Sequence, residues 1–161
     1  MTGEHDTAGG QRSRGKAAGA GDRIPFAEKR DMVRTLLNAP GDIAFLVRPD
    51  LRIVEVSDAA LRVIGRSREE VVGGKVDDLF THFPPEIRES RARAAGRAVE
   101  ERRPIFVDDE RDGRHFRTSY YPVFGEAGAV EWIAVYGRDI TDRKRAEEEL
   151  QKSEAISRQL I

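Results

Sequence analysis

The sequence contains no cysteine, no long apolar run and no excess of charge of either sign. Without cysteine it has no thiol nucleophile, no thiolate metal ligand and no site for a cysteinyl–flavin adduct. No apolar stretch approaches the roughly 20 residues of a membrane-spanning helix, and the N-terminus shows no apolar segment typical of a secretion signal. The 28 basic and 29 acidic residues lack the basic surplus typical of nucleic-acid-binding proteins. We therefore expect a cytoplasmic protein without a membrane span that binds no nucleic acid.

Large apolar residues are also scarce at the start of the chain, where glycine, alanine and charged residues dominate. Such a segment buries too little surface to offset its ordering entropy, so we predict a disordered tail. Apolar residues then recur at helical spacing and predict an amphipathic helix from Pro25 to about Asn38. The length of 161 residues suits one domain with tails. We expect a tail at 1–22, an N-terminal helix region at 23–39, a core at 40–141 and the start of an output helix at 142–161.

The core shows β-rich runs at both ends and short helical segments between them. Asp42–Val47 and Arg52–Ser57 flank a Pro-Asp turn and predict a hairpin. Ser67 and Glu70 form a capping-box pattern at one of three short helices, and Pro84–Pro104 bounds a longer helix. Three more strands follow. This order predicts an α+β fold with one antiparallel five-stranded sheet.

The predicted central strands, IAFLV and WIAVY, carry large apolar side chains on both faces. A strand with one solvated face alternates apolar and polar residues, so both faces of this sheet need cover. The short helices suit one face. The amphipathic N-terminal helix, a second copy of the chain, or both, suit the other. We predict a homodimer formed through the N-terminal helix and the sheet.

Three segments of the chain resemble a PAS domain of prokaryotic signalling proteins. They are RIVEVSDAALRVIGRSREEVVGG, DGRHFRTSYYPVFGEAGAVEWIAVYGRDIT and DRKRAEEEL. The resemblance runs from about Leu36 to Leu150, and RDITDRKRAEEEL is its most specific part. Ser57 departs from the asparagine that is frequent before the first short helix, but serine keeps the capping role.

The resemblance implies a sensory input and dimerisation module with short helices on one face of the sheet. A small ligand would bind between sheet and helices, and the C-terminal helix would pass the signal to an effector such as a histidine kinase of a two-component system or a diguanylate cyclase. The chain itself shows no nucleophile–base signature, phosphate loop or metal-ligand cluster, so we predict no enzymatic activity for it. A ligand-free PAS domain that serves as a dimerising or partner-binding spacer stays open as the alternative.

The cofactor is unknown, and the residues disfavour both haem and flavin. Some PAS domains hold haem through a histidine on the long helix, but PPEIRESRARAAGRAVEE contains none. Flavin-binding members rely on amide side chains, and asparagine and glutamine are nearly absent between residues 40 and 150. Asp108–Gly113 looks like the opening of a calcium loop, but Ser119 stands where the loop needs glutamate. We interpret this segment as an acidic hairpin turn and predict no metal site.

Aromatic and basic residues supply the candidates for a ligand pocket. Arg91 shares a helical stripe with Ile87, Ala94 and Ala98, so it is expected to point inward. An inward guanidinium needs a protein carboxylate or an anionic ligand, unless the side chain reaches the surface. We hypothesise a small anionic metabolite as its ligand. The other candidates, for which a filled core or, for the histidine, a rim position is the alternative, are Phe45, Phe106, His115, Phe116, Tyr120 and Trp132.

The junction between the last strand and the terminal helix contains Asp139 and Thr141. We predict that Thr141 caps the helix and that Asp139 couples strand to helix through a backbone or basic partner. A plain cap without a role in transmission is the alternative. Beyond it, a four–three spacing indicates a thin coiled-coil seam at Ala146, Leu150, Ser153, Ser157 and Leu160. We expect the chain to be an input domain cut from a longer protein.

Overall fold

The computed structural model describes residues 25–160, and the tail predicted at 1–22 lies outside the described residues. The helices are α1 (Phe26–Asn38), α2 (Asp58–Ile64), α3 (Arg68–Val71), α4 (Val76–Leu79), α5 (Pro85–Glu101) and α6 (Thr141–Gln159). The strands are β1 (Ile43–Val47), β2 (Ile53–Val56), β3 (Ile105–Arg111), β4 (Arg114–Phe124) and β5 (Val130–Asp139).

The strands form one antiparallel sheet of five strands in the order β2-β1-β5-β4-β3. The predicted α+β fold is therefore confirmed. The last strand, β5, lies in the centre because it pairs with β1 on one side and with β4 on the other. Val135 stands opposite both Phe45 and Tyr120 in these pairings, which places three large side chains in one row. This central position explains why β5 is apolar on both faces.

One face of the sheet, called here the inner face, packs against helices α2 to α5. Small residues of α5 let the helix lie close to β3 and β4. The buried core combines strand residues with single residues of α2 and α3 and three alanines of α5: Phe45, Val47, Ile53, Val56, Ala60, Val71, Ala94, Ala95, Ala98, Ile105, Tyr120 and Ile133.

Capping serines start two of the short helices, as their sequence positions predict. Ser57 is fully buried, and its Oγ accepts the backbone N–H groups of Ala44 and Ala60 while donating to the carbonyl of Asp42. It therefore ties β1 to the start of α2. Ser67 forms the predicted capping box at the start of α3, with the Glu70 carboxylate accepting the Ser67 N–H at 2.8 Å.

The segment at Asp108–Gly113 comprises the end of β3 and the tight turn at Asp112 and Gly113 that leads into β4. Asp112 and Gly113 both have positive φ angles, 52° and 71°, which is the backbone of a two-residue hairpin turn. The carboxylate of Asp108 accepts two hydrogen bonds from Arg117 on the neighbouring strand. The predicted hairpin is confirmed, but its turn is limited to Asp112 and Gly113, and the acidic residues before them belong to β3.

The opposite face of the sheet, called here the outer face, is covered by α1 at the β1–β2 end. Leu37 of α1 is buried, whereas Phe26, Met32 and Leu36 on the same helix are exposed. Towards β3 this face carries a row of aromatic rings in edge contact, Phe106 with Tyr121 and Tyr121 with Tyr136. The outer face therefore keeps a large apolar surface that α1 does not cover.

A buried carboxylate on the outer face of the sheet links β2 to α1 and α3. The side chain of Glu55 is only 4% exposed and forms ion pairs with Arg34 of α1, at 3.3 Å, and with Arg68 of α3. Arg68 also pairs with Asp58 at the start of α2. Two guanidinium groups offset the cost of burying the Glu55 charge. Sequence reasoning missed this network because it joins residues from four elements.

Candidate ligand cavity and helix junction

A cavity of about 650 Å³ lies between the inner face of the sheet and helices α2, α4 and α5. This volume falls within the range of small-molecule sites, which is about 300–1,000 Å³. Four of the predicted pocket residues line it: Phe45, Arg91, Phe116 and Tyr120. They come from β1, α5 and β4, so the fold brings together residues that are far apart in the chain.

The other three predicted pocket residues, Phe106, His115 and Trp132, lie on the outer face, and their assignment to the pocket was wrong. Each stands one residue away from a residue that faces inward, and successive strand residues point to opposite faces. Phe106 is 54% exposed. His115 precedes Phe116, and Trp132 precedes the buried Ile133. Aromatic character alone does not tell which face a strand residue occupies.

The aromatic wall of the cavity includes two phenylalanines that sequence reasoning missed. Phe80 contacts Phe45 edge to face at 5.9 Å and stacks on Phe83 at 5.1 Å between ring centroids. Both belong to the connection between α4 and α5. The available signal was the cluster of aromatic side chains in FTHFPP, immediately before the long helix.

Two arginines share one half-buried carboxylate at the α5 end of the cavity. Asp109 of β3 lies 3.5 Å from the guanidinium of Arg91 and 2.8 Å from that of Arg111. Both guanidinium groups stack on the ring of Phe83, with centroid distances of 4.6 and 4.9 Å. Burial lowers the pKa of Arg91, but a guanidinium stays charged in proteins. Asp109 is thus the protein carboxylate that an inward Arg91 requires.

Arg88 lies one helical turn before Arg91 and also lines the cavity. Within the part of the chain that the structure describes, its buried Nε has no hydrogen-bond partner. Sequence reasoning missed this residue, although its spacing of three from Arg91 places both on one helical face. Tyr120 is buried nearby, and burial raises its pKa, so its hydroxyl stays neutral.

Asp139 ends β5, lines the cavity and bonds to the first residue of α6. Its Oδ1 accepts the backbone N–H of Thr141 at 2.9 Å and also the Thr141 hydroxyl. Its Oδ2 lies 3.5 Å from Arg114, another cavity-lining residue. These hydrogen bonds from Thr141 lower the pKa of Asp139, and Arg114 adds to the effect. One carboxylate therefore contacts the sheet, the cavity wall and the terminal helix.

The prediction that Thr141 caps α6 was wrong in its geometry. Ile140 occupies the N-cap position without a side-chain bond, and Thr141 is the first helical residue. The Thr141 Oγ1 instead accepts the backbone N–H of His115 at 3.0 Å, while the His115 carbonyl accepts the Ile140 N–H at 2.8 Å. His115 thus contributes its backbone to the junction, and its side chain takes no part in the cavity.

Metal-binding and membrane-spanning features were searched within residues 25–160. No group of three or more histidine, aspartate or glutamate side chains in that range has an arrangement that holds a metal ion. No helix in the same range is long and apolar enough to cross a membrane.

The fold is an α+β domain with a cavity between its sheet and its helices, and comparison identifies the family. A family model described as PAS fold matches residues 37–145, which is more than half of the chain. The chain belongs to the PAS family, whose members are sensory modules. A comparison with curated proteins found no match.

Solved structures with the same fold come from bacterial and archaeal proteins. The PAS domain of BvgS from Bordetella pertussis is 20% identical, with a TM-score of 0.60 over 80% of this chain and 98% of that one. A sensory box sensor histidine kinase from Vibrio cholerae is 22% identical, with a TM-score of 0.52 over 71% and 94%. A domain of an HTR-like protein from Haloarcula marismortui is 23% identical, with a TM-score of 0.52 over 62% and 98%. At these identities the likeness shows the fold alone.

Proposed function

We propose that this chain is a sensory input and dimerisation module that binds a small ligand in the inner cavity and signals through α6. The observation that carries the proposal is the position of Asp139, which lies in the cavity wall and accepts the first backbone N–H of α6. A side chain with contacts on both sides can report a change in the cavity to the helix. The chain itself is proposed to have no catalytic activity, and its cytoplasmic location stays a prediction.

The proposed route of the signal runs from the cavity through Arg114 and Asp139 to Thr141. Arg114 lines the cavity and lies 3.5 Å from Asp139, which is a long and adjustable contact. A ligand that draws Arg114 towards itself weakens this contact and changes how Asp139 holds Thr141. The ligand shifts the equilibrium only to the extent that it binds the two arrangements differently.

The proposed effector is a histidine kinase or a related catalytic domain that α6 joins to the PAS core. One of the solved structures with this fold is a sensor histidine kinase from Vibrio cholerae. Beyond its first turn α6 is exposed, including the large side chains of Leu150, Ile156 and Leu160. Exposed apolar residues on a long helix suit a coiled-coil seam with a second copy.

The proposed homodimer uses α1 and the outer face of the sheet. Phe26, Met32 and Leu36 expose apolar side chains on α1, and Phe106 and Tyr121 do so on the sheet. Apolar patches of this kind mark contact sites between proteins. A second copy that covers both would also place the two α6 helices in one assembly, as a shared output requires.

The cavity can be tested with a matched pair of substitutions on β4. Thr118 is buried in the cavity wall, whereas Ser119 is the next residue and faces outward. Thr118→Phe is expected to fill part of the cavity, and Ser119→Phe to leave it open. Native mass spectrometry of the purified protein is expected to find a retained small molecule in wild type and Ser119→Phe but not in Thr118→Phe. A wild-type protein that retains none and melts unchanged across a metabolite library favours the ligand-free dimerising or partner-binding spacer.

A further inference from the structure

We propose that the cavity takes an organic acid, with its carboxylate on Arg88 and its apolar body against the aromatic wall. This inference rests on the proposed ligand-binding function and names the class of ligand. It assigns the anion contact to Arg88 rather than to Arg91, the residue that the sequence pattern favours.

The charges around the cavity single out Arg88. Arg91 and Arg111 already share the carboxylate of Asp109, and Arg114 lies beside Asp139. Within residues 25–160 no carboxylate lies at ion-pair distance from Arg88. The Nε of Arg88 is buried and without a hydrogen-bond partner in the same range. The same is true of the Nε of Arg91, so it is the ion pair of Arg91 with Asp109 that distinguishes the two arginines. The α5 end of the cavity therefore carries more positive charge than its own carboxylates offset.

Arg88 is partly buried, so its unpaired guanidinium is partly removed from water. It cannot lose its proton, and an unpaired buried charge is costly. A carboxylate matches the fork of N–H donors in a guanidinium, with two parallel hydrogen bonds. An entering carboxylate would satisfy Arg88 and also reduce the repulsion among Arg88, Arg91 and Arg111.

The rest of the wall selects an apolar body on the acid. Away from the arginines most of the lining is aromatic or aliphatic, although Asp42, Asp77, His82 and Thr118 also contribute. The apolar part of the wall includes Phe45, Val47, Leu79, Phe80, Phe116 and Val135. A small hydrophilic anion would leave these groups against unfilled or water-filled space. An acid with an aromatic or branched body places one polar group at the arginine end and apolar surface elsewhere, which is typical of small-molecule sites.

The test compares acids with their neutral amides as probes: phenylacetate with phenylacetamide, and 4-phenylbutyrate with 4-phenylbutyramide. Binding is measured by NMR titration of the labelled protein, for wild type, Arg88→Gln and the control Arg93→Gln. Arg93 lies on the same helix, 69% exposed, beside Glu89. We expect each acid to bind at least tenfold more tightly than its amide. Arg88→Gln should weaken acid binding by about tenfold to a hundredfold, the effect of losing a charge-assisted hydrogen bond, and Arg93→Gln should leave it unchanged.

Three other results overturn the inference in distinguishable ways. Equal binding of acid and amide in the cavity would show that the site does not select an anion. The proposed ligand-binding function would still stand. Acid binding that is as tight in Arg88→Gln as in wild type would show that a residue other than Arg88 holds the carboxylate. If no probe binds, the organic-acid proposal fails, and the proposal that the cavity binds a ligand loses its support as well. If Arg88→Gln unfolds, as judged by circular dichroism, Arg88→Lys replaces it, and its loss of the planar fork should still weaken acid binding relative to wild type.

Discussion

Asp139 and Thr141 form a closed hydrogen-bonded pair, in which one carboxylate oxygen of Asp139 accepts both the backbone N–H and the hydroxyl of Thr141. The second oxygen faces Arg114 in the cavity wall. The pair therefore lies where the chain passes from β5 into α6. The Asp139 carboxylate, at the end of the strand, satisfies the first backbone N–H of the helix. The backbone of His115 makes two further hydrogen bonds at the junction, one with the Thr141 hydroxyl and one with the Ile140 N–H.

Removing the Asp139 carboxylate should loosen the start of α6 without unfolding the core. Asp139→Ala leaves the Thr141 N–H without its acceptor, and unsatisfied N–H groups at a helix start favour fraying. We expect faster amide exchange in the first turn of α6 and little change in exchange of the buried strands. Asp142→Ala is the control, since Asp142 is also acidic and in the first turn but makes no side-chain hydrogen bond to the junction within residues 25–160. Equal effects of the two substitutions would contradict a specific role for Asp139.

The same carboxylate gives the junction a dependence on pH. The hydrogen bonds of Thr141 lower the pKa of Asp139 in the folded protein below its ordinary value of about 3.9. A depressed folded pKa contributes stability above the unfolded pKa, and this contribution is lost as the pH falls through the folded pKa. We therefore expect the first turn of α6 to fray below about pH 4 and to be unaffected between pH 5 and 8. Helix-start amide shifts followed by NMR in an acid titration check this, and a transition near neutral pH would count against it.

Glu55 should be the most costly single charge to neutralise. Glu55→Gln leaves the guanidinium groups of Arg34 and Arg68 facing an uncharged amide in a site where the carboxylate was 4% exposed. We expect a loss of about 2–3 kcal/mol in the free energy of unfolding, less than the roughly 3–5 kcal/mol for a fully buried pair because Arg34 is partly exposed. Urea unfolding gives the value. The surface substitution Glu100→Gln should stay within about 0.5 kcal/mol of wild type, and a similar small value for Glu55→Gln would show that the network does not stabilise the fold.

The exposed side of α1 should decide whether the chain dimerises. Leu36 is 66% exposed, so Leu36→Asp places a charge on the proposed dimer surface without disturbing the buried Leu37. We expect a shift from dimer to monomer in analytical ultracentrifugation. Asp31→Lys also changes charge at an exposed position of α1, but Asp31 lies five residues before Leu36 and so on a different face of the helix, and this substitution should leave the dimer intact. A wild-type protein that is monomeric at high concentration would remove the dimer proposal outright.

The sequence predicted most elements because local chemistry marks their ends. Proline and glycine separate the segments, and Ser57 and Ser67 start helices by capping them. The RDIT segment and the charged helix after it identify the family because they combine a strand end with a helix start. These signals all act over a few residues, where propensity and side-chain–backbone hydrogen bonds decide the structure.

The details of the cavity were harder to predict because they depend on pairing between distant segments. His115 and Phe116 are neighbours in sequence, and only the register of β4 decides that Phe116 faces inward. The partner of Arg91 is Asp109, whose side chain points to the cavity side because β3 pairs with β4 in one particular register. Arg88 was missed for another reason. The buried stripe of α5 consists of alanines, and small side chains of this kind do not define sharply which neighbouring positions of the helix face the cavity.

The central claim is that the state of the cavity reaches the terminal helix, and hydrogen–deuterium exchange at the start of α6 tests it most directly. Wild type, the cavity-filling Thr118→Phe and the outer-face Ser119→Phe are compared at the amides of residues 141–146. The account predicts altered exchange in Thr118→Phe and wild-type exchange in Ser119→Phe. In the Asp139→Ala background, where exchange is already faster, adding Thr118→Phe should cause no further change. The account would be contradicted if exchange at these amides were identical in wild type and Thr118→Phe while the amides of the cavity wall changed in Thr118→Phe.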